Sequence, residues 1–139
     1  MARAGDKVAR AALEVVGVRF RLRGRDPATG LDCVGVVAAA LAGNGCRLAL
    51  PIDYAMRAQD TGRAAPFADA LGCVAAHGDA QPGDILLLHV GPGQHHFAVA
   101  VDGGFVHAHA GLRRVVLAPA MPAGAVIGHW RPTDPDPTE

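Results

Sequence analysis

The sequence predicts an α+β domain, with helices first and a meander of antiparallel strands after. Three observations predict it. Apolar residues recur at helical spacing between Lys7 and Val16. An alanine- and valine-rich run, CVGVVAAALA, fills Cys33 to Ala42. After Gln81 the pattern changes to short apolar runs separated by turn residues.

In chain order, Val8, Ala11, Ala12, Val15 and Val16 define the buried stripe of the first helix, and Gly17 fits a stop just beyond it. Val18 to Gly30 is turn-rich and extended, with Asp26-Pro27 and Thr29-Gly30 as turn signals. The run from Cys33 to Ala42 forms a buried helix, closed by Gly43-Asn44-Gly45. Weaker signals place a short helix over Tyr54 to Ala58 and another from Pro66 to about Ala76. Gln81-Pro82-Gly83-Asp84 is a turn. The strands ILLLHV and HFAVAV follow, then the hairpin turn Asp102-Gly103-Gly104, then Phe105 to His109, Arg114 to Leu117 and Ala125 to Arg131. Residues 1–131 thus form one domain, and 132–139, alternating Pro with acidic and polar groups, are expected to be a mobile tail.

Composition bounds the function classes. A chain of 139 residues, 50% hydrophobic, buries roughly two-thirds of the surface its unfolded form would expose. Only 4% is aromatic, so aliphatic side chains fill the core. Basic and acidic residues balance at 13 each, without the basic excess that marks nucleic-acid binding. One local cluster stands out: Arg19, Arg21, Arg23 and Arg25, at alternate positions, share one face of an extended segment. That face is either a solvated strand surface or a contact surface for carboxylates or phosphates. Three cysteines without CxxC spacing give neither a disulfide framework nor a zinc ribbon. No apolar run reaches the roughly 18 residues of a membrane span, and the N-terminal stretch lacks the pattern of a secretory signal. The expectation is a cytosolic chain with free thiols until something else moves it.

The stretch GLDCVG, Gly30 to Gly35, places an acid and a thiol at the start of the buried helix. Unpaired N–H groups and the positive end of the helix dipole favour a thiolate, so Cys33 is expected to have a low pKa. The same N–H groups suit a developing oxyanion. A thiolate nucleophile needs a base, and the base an orienter. His96 begins one strand and His107 lies near the end of the next. Pairing about Gly103 sets residue 96 opposite 109 to 111, and 107 opposite about 99, so a bulge or twist is needed to bring the two rings together. Cys46 and Cys73 read as small buried hydrophobes, and His89, His95 and His129 as surface or strand-end residues. Imidazoles at His96, His107 and His109 also allow a zinc site.

Taken together these residues resemble the NlpC-type cell-wall peptidases, papain-like cysteine peptidases that cut peptidoglycan stem peptides. GRDPATGLDCVG is similar to the family's approach and its Asp-Cys-x-Gly helix start. QPGDILLL resembles its Pro-Gly-Asp turn and first sheet strand. HFAVAVDGGFVHA resembles its His strand, hairpin and second His. The resemblance spans about Val16 to His109. It implies a papain-like fold, with N-terminal helices packed on an antiparallel sheet of about five strands, and a hydrolase without cofactor or metal. Cys33 would be the nucleophile, His96 the general base and His107 the group that orients it. Asp32, Phe20 and Arg23 would line the substrate end, and the bond cut would join D-glutamate to a diamino acid. Two departures stand out. Phe20 replaces a family Tyr whose hydroxyl serves the oxyanion site, and Leu22-Arg23-Gly24 replaces an aromatic-Gly-Gly. The compact form is most like peptidases of phage tails and gene transfer agents. Tail or baseplate proteins would then be its partners, and it would act in the periplasm or cell wall. A domain that keeps this fold with weakened catalysis, or a metal-binding His cluster, are the competing readings.

Overall fold

A computed structural model gives residues 3–46, 73–91, 94–121 and 124–133 of the chain. Helix α1 spans Ala4–Glu14 and α2 spans Cys33–Ala42; the short strands β1 (Arg25–Asp26) and β2 (Gly30–Leu31) lie between them. Then come β3 (Val74–Ala75), β4 (Ile85–Gly91), β5 (Gln94–Val101), β6 (Gly104–His109), β7 (Arg114–Ala118) and β8 (Ala125–Arg131). The main sheet is six-stranded and antiparallel, in the order β3-β8-β4-β5-β6-β7. It therefore has one strand more than expected, because Val74 and Ala75 pair with Arg131 and Trp130. The helix expected from Pro66 gives way to that strand at its last residues. The rest of it, like the helix over Tyr54 to Ala58, lies outside the described residues.

Each element follows from its local sequence. Helix α1 turns Val8, Ala9 and Ala12 inward and begins three residues earlier than the apolar spacing alone suggests. Helix α2 is apolar all round, as expected of a helix buried on most sides. Its Val34, Val36, Val37, Ala40 and Leu41 pack with α1 and with one face of the sheet. That face carries Ile85, Leu87, Phe97, Val99, Val101, Val106, Ala108, Val115 and Trp130. Asp102-Gly103 forms the two-residue hairpin between β5 and β6, Gly103 taking φ 90° at no steric cost.

Two polar clamps hold the frame. The first ties β4 to β8. Asp84, fully buried at the head of β4, receives Arg131 through Nε (2.9 Å) and Nη2 (2.8 Å), His129 through Nε2 (2.6 Å) and the Gln81 N–H (2.9 Å). His129 thus stands near the end of β8, and the carboxylate draws it inward. Burial alone would raise the Asp84 pKa; the Arg131, Gln81 and His129 hydrogen bonds outweigh it and hold the carboxyl below its usual range. The chain also stays attached past β8. Pro132 is buried, and the Thr133 carbonyl accepts from Asn44 Nδ2 at 3.1 Å, so the packed body extends two residues into the expected tail.

The second clamp sets the start of α2. Asp32 caps the helix, Oδ1 accepting the Gly35 N–H at 2.8 Å. The same oxygen takes Arg25 Nη1 at 2.8 Å, and Oδ2 takes the Arg23 N–H at 2.9 Å. The loop before β1 can lie this close because Gly35 has no side chain: a Cβ there would stand 2.2 Å from the Gly24 carbonyl oxygen. Glycine at position 35 therefore seats the loop on the helix rather than leaving the first turn open.

Two predictions follow from the clamps. The folded-state pKa of Asp84 lies below its unfolded value of about 3.9. Its stabilisation is therefore complete above that value and is lost as pH falls through the folded-state pKa. Asp84→Asn is expected to lower stability by about 3–5 kcal/mol at pH 7 and to flatten the acid limb of a thermal-melting series between pH 7 and pH 2. Asp32→Ala is expected to cost about 1 kcal/mol through loss of the cap. Asp32→Asn, which keeps an acceptor for the Gly35 N–H, should recover most of that in the same melts.

Candidate active site

A cleft of about 610 Å³ opens at the start of α2, lined among others by Phe20, Arg23, Arg25, Asp32, Cys33 and His96. All three residues expected at the substrate end, Asp32, Phe20 and Arg23, border it, as do Cys33 and His96. His107 stands behind the cleft wall, buried, and meets His96 there.

The β5–β6 ladder explains the meeting. Its pairs are Val101↔Gly104, Ala100↔Phe105 and Val99↔Val106, and it ends there. Continued, the register would set residue 98 opposite His107, two positions from His96 on the same face. Such diagonal neighbours are roughly 7–8 Å apart at the backbone, within reach of long side chains. No bulge is needed. His96 Nε2 lies 2.9 Å from His107 Nδ1, the rings edge to face at 87° with centroids 5.0 Å apart.

The end of the ladder also places the sulfur. Ala100 turns its N–H and C=O toward the β4 side, to Asp84 O (2.9 Å) and Gly83 N (2.7 Å). By alternation Phe97 turns its N–H toward β6, beyond the last pair. That N–H is hydrogen-bonded to Cys33, as is the N–H of Val34. The sulfur thus sits one residue from His96.

Its charge state differs from the expectation. Burial pushes the Cys33 thiol up to about 11; the Phe97 and Val34 N–H groups and Arg25 pull it down, while the Asp32 carboxylate next to it pushes it further up. Loss of water outweighs the helix start, and the capping carboxylate works against the helix dipole. Burial likewise brings His96 down to about 4, helped by neighbouring His107 and His109. His107 is lowered by burial and by His109. The resting pair is therefore a neutral thiol and a neutral imidazole, not the thiolate expected from the helix start.

The remaining histidines separate by face. His95, on the opposite face of β5 from His96, lines the cleft and packs edge-on against His89 at 5.7 Å. Its Nδ1 is buried without a partner among the described residues, and burial, then His89, lowers its pKa. Only His96 of the adjacent pair reaches His107. Of the three imidazoles considered for zinc, His96 and His107 spend a nitrogen on each other, and His109 Nδ1 accepts the Leu112 N–H at 3.0 Å. No group of three ligating side chains converges among the described residues. Cys46 is half-buried and Cys73 buried, and neither borders the cleft; burial pushes the Cys73 thiol up to about 12.

The arginine cluster splits. Arg23 takes φ 62°, the chain turns, and Arg23 and Arg25 go to the cleft while Arg19 and Arg21 do not. Sequence reasoning missed that turn and the Asp84–His129–Arg131 clamp. The available signal for the clamp was an acid directly before a buried strand and two basic residues ending another.

No protein-family model matches the sequence, and no curated protein matches it. Solved structures do match. NlpC1 and NlpC2 from Trichomonas vaginalis superpose with TM-scores of 0.65 and 0.68, each at 21% identity; 95% and 94% of this chain is covered. The chain spans 45% and 48% of those two proteins, about half their length. The NlpC/p60 domain of the peptidoglycan hydrolase SagA superposes with a TM-score of 0.57 at 24% identity, over 82% of this chain and 87% of its own. At such identities the likeness is one of architecture: the chain has the papain-like α+β fold of NlpC/P60 domains.

Proposed function

We propose that this domain is a cysteine peptidase that hydrolyses peptidoglycan stem peptides, with the D-glutamate–diamino acid bond as its target. One observation carries the chemistry: Cys33 and His96 line one cleft, and the sulfur is held by the backbone N–H of the residue next to His96. The fold shared with SagA's domain, a peptidoglycan hydrolase, supports the substrate class. Arg23 and Arg25 at the cleft suit the carboxylates of stem peptides.

The histidine pair dictates the roles. His96 Nε2 faces His107, so Nδ1 is the nitrogen left for the thiol. For Nδ1 to accept a proton, the ring must carry its own on Nε2 and donate it to His107 Nδ1. On substrate binding the Cys33 proton passes to His96 Nδ1 as sulfur adds to the amide carbonyl. The imidazolium then protonates the leaving amine, giving a thioester. Water, losing a proton to His96, cleaves the thioester to a free carboxylate and restores the thiol. His107 keeps the ring oriented throughout and accepts from it in both charge states. Asp32 holds the helix start and the Arg25 guanidinium. Phe20 offers no hydroxyl, and with the Val34 N–H on the sulfur and the Gly35 N–H on Asp32, the Cys33 N–H is the helix-start donor left for the oxyanion.

Delivery by a phage-like tail particle, with tail or baseplate proteins as partners and the periplasm or wall as the place of action, belongs to the same proposal. Co-purification with tail particles tests it. A catalytically weak scaffold is the second reading. The raised Cys33 thiol and the missing Phe20 hydroxyl favour it.

The deciding experiment is digestion of purified stem peptides followed by mass spectrometry. Cleavage at the glutamyl bond is expected, and Cys33→Ala should abolish it. Cleavage that survives Cys33→Ala overturns the peptidase reading, and no cleavage by the intact domain leaves the scaffold. His107→Ala should lower kcat on the order of a hundredfold, with His107→Gln, whose amide oxygen still accepts, recovering part. The protonation states give a pH signature. Alkylation of Cys33 by iodoacetamide should keep rising up to about pH 11, without levelling near the ordinary thiol pKa of about 8.5. The base is active when neutral, so kcat/KM should fall only as pH drops through about 4.

A further inference from the structure

The arginines that leave the cleft build a second feature. Residues 18–20 run beside β7: the Phe20 N–H donates to Arg113 O (2.9 Å) and the Val115 N–H to Val18 O (2.8 Å), setting Arg19 directly opposite Arg114. On its other side β7 sets Arg114 directly opposite His109. His109, Arg114 and Arg19 therefore form one row across three adjacent strands. Arg21 follows Arg19 two residues on, on the same face, while Phe20 between them turns to the cleft.

Three properties of this row bear on its use. First, directly opposed like charges destabilise a sheet. Arg19, Arg21 and Arg114 are all exposed, and none is ion-paired with a carboxylate among the described residues. The buried acids Asp84 and Asp32 are committed elsewhere, to Arg131 and Arg25. Second, the ring of His109 is fixed. Its Nδ1 accepts the Leu112 N–H, which leaves the proton on Nε2 as a donor. The turn wraps the ring closely, since a Cβ on Gly111 would stand 3.1 Å from His109 Cε1. Third, strands are about 4.8 Å apart and residues about 3.3 Å along a strand. The row is therefore roughly 10 Å across, with Arg21 roughly 6–7 Å farther along. A single carboxylate is satisfied by one guanidinium fork. A line of three forks and an imidazole N–H at this spacing fits two successive phosphate groups.

We propose that His109, Arg114, Arg19 and Arg21 form a binding site for paired phosphates, either a diphosphate or two consecutive phosphodiesters of a polymer. The site lies on the sheet face that carries His96 and His107, its His109 ring 5.9 Å from that of His107; none of its four residues lines the cleft, and it stands whether or not the cleft is a peptidase.

The test uses the whole chain at low ionic strength. Inorganic orthophosphate, inorganic pyrophosphate and a glycerol-phosphate oligomer are titrated separately, each followed by calorimetry and by the His109 Cε1–H NMR signal. Saturable binding of pyrophosphate, at least tenfold tighter than orthophosphate and with movement of the His109 signal, is expected. Arg19→Gln combined with Arg114→Gln should weaken it at least tenfold without lowering the melting temperature, since the substitution removes a like-charge pair. Arg114→Lys, which keeps the charge and loses the fork, should fall between the two. Tighter binding of the oligomer, with a steeper salt dependence, assigns the site to a polymer; tighter binding of pyrophosphate assigns it to a small diphosphate. No saturable binding of either, or equal binding by the double variant, overturns the site.

Discussion

The site depends on where two strands stop pairing. The β5–β6 ladder ends at Val99↔Val106, although each strand continues for several residues on its other partner. Had the ladder run on, the Phe97 N–H would be spent on β6. Its early end leaves one backbone donor for the Cys33 sulfur, while the register itself sets the two imidazoles on a diagonal. The small residues Ala98, Ala100 and Ala108 keep the neighbourhood uncrowded, and Ala108 and Ala110 form part of the cleft wall. The geometry at the cleft is thus a consequence of register, which the Asp102-Gly103 turn sets from the far end of the hairpin.

Electrostatics at the cleft is decided by competition. A helix start favours an anion, but the residue that caps this helix is itself an anion, one position before the sulfur. Asp32 is necessary to seat the loop carrying Arg23 and Arg25, and so its field on Cys33 comes with the architecture. Burial adds the larger effect, raising the thiol and lowering the imidazole together. Charges separate only when something bound in the cleft favours it; on the proposed reading that is the carbonyl the sulfur attacks. A neutral resting pair also protects the sulfur, since the thiol is the less reactive form.

Much of this was legible in the sequence. The apolar run after Asp32 could only be a buried helix, and its bounds, Cys33 to Ala42, are those observed. Strands β4 to β8 follow from short apolar runs and from the turn residues that separate them. That Cys33 and His96 border one cleft agrees with the resemblance carried by the order and spacing of the three motifs. What the sequence hid was of two kinds. Long-range pairings, such as Val74–Ala75 on β8 or Asp84 with Arg131, join residues that no local pattern connects. Balances between opposed effects, such as burial against the helix start at Cys33, need the environment of the group. Residue types alone give only the direction of each contribution.

The arginine segment shows how little charge order says without backbone conformation. Four arginines at alternate positions read as one basic face. A single residue, Arg23 at φ 62°, ends the alternation. Asp32 compensates for that strained conformation by accepting the Arg23 N–H, the hydrogen bond that the turn presents. The same bend that delivers Arg23 and Arg25 to the helix start leaves Arg19 and Arg21 pointing the other way. There the pairing of residue 19 with residue 114 gathers them with His109 and Arg114. One backbone angle, held by the helix-capping carboxylate, therefore divides a continuous basic run into two surfaces with different neighbours: one beside a thiol, the other beside His109 outside the cleft lining.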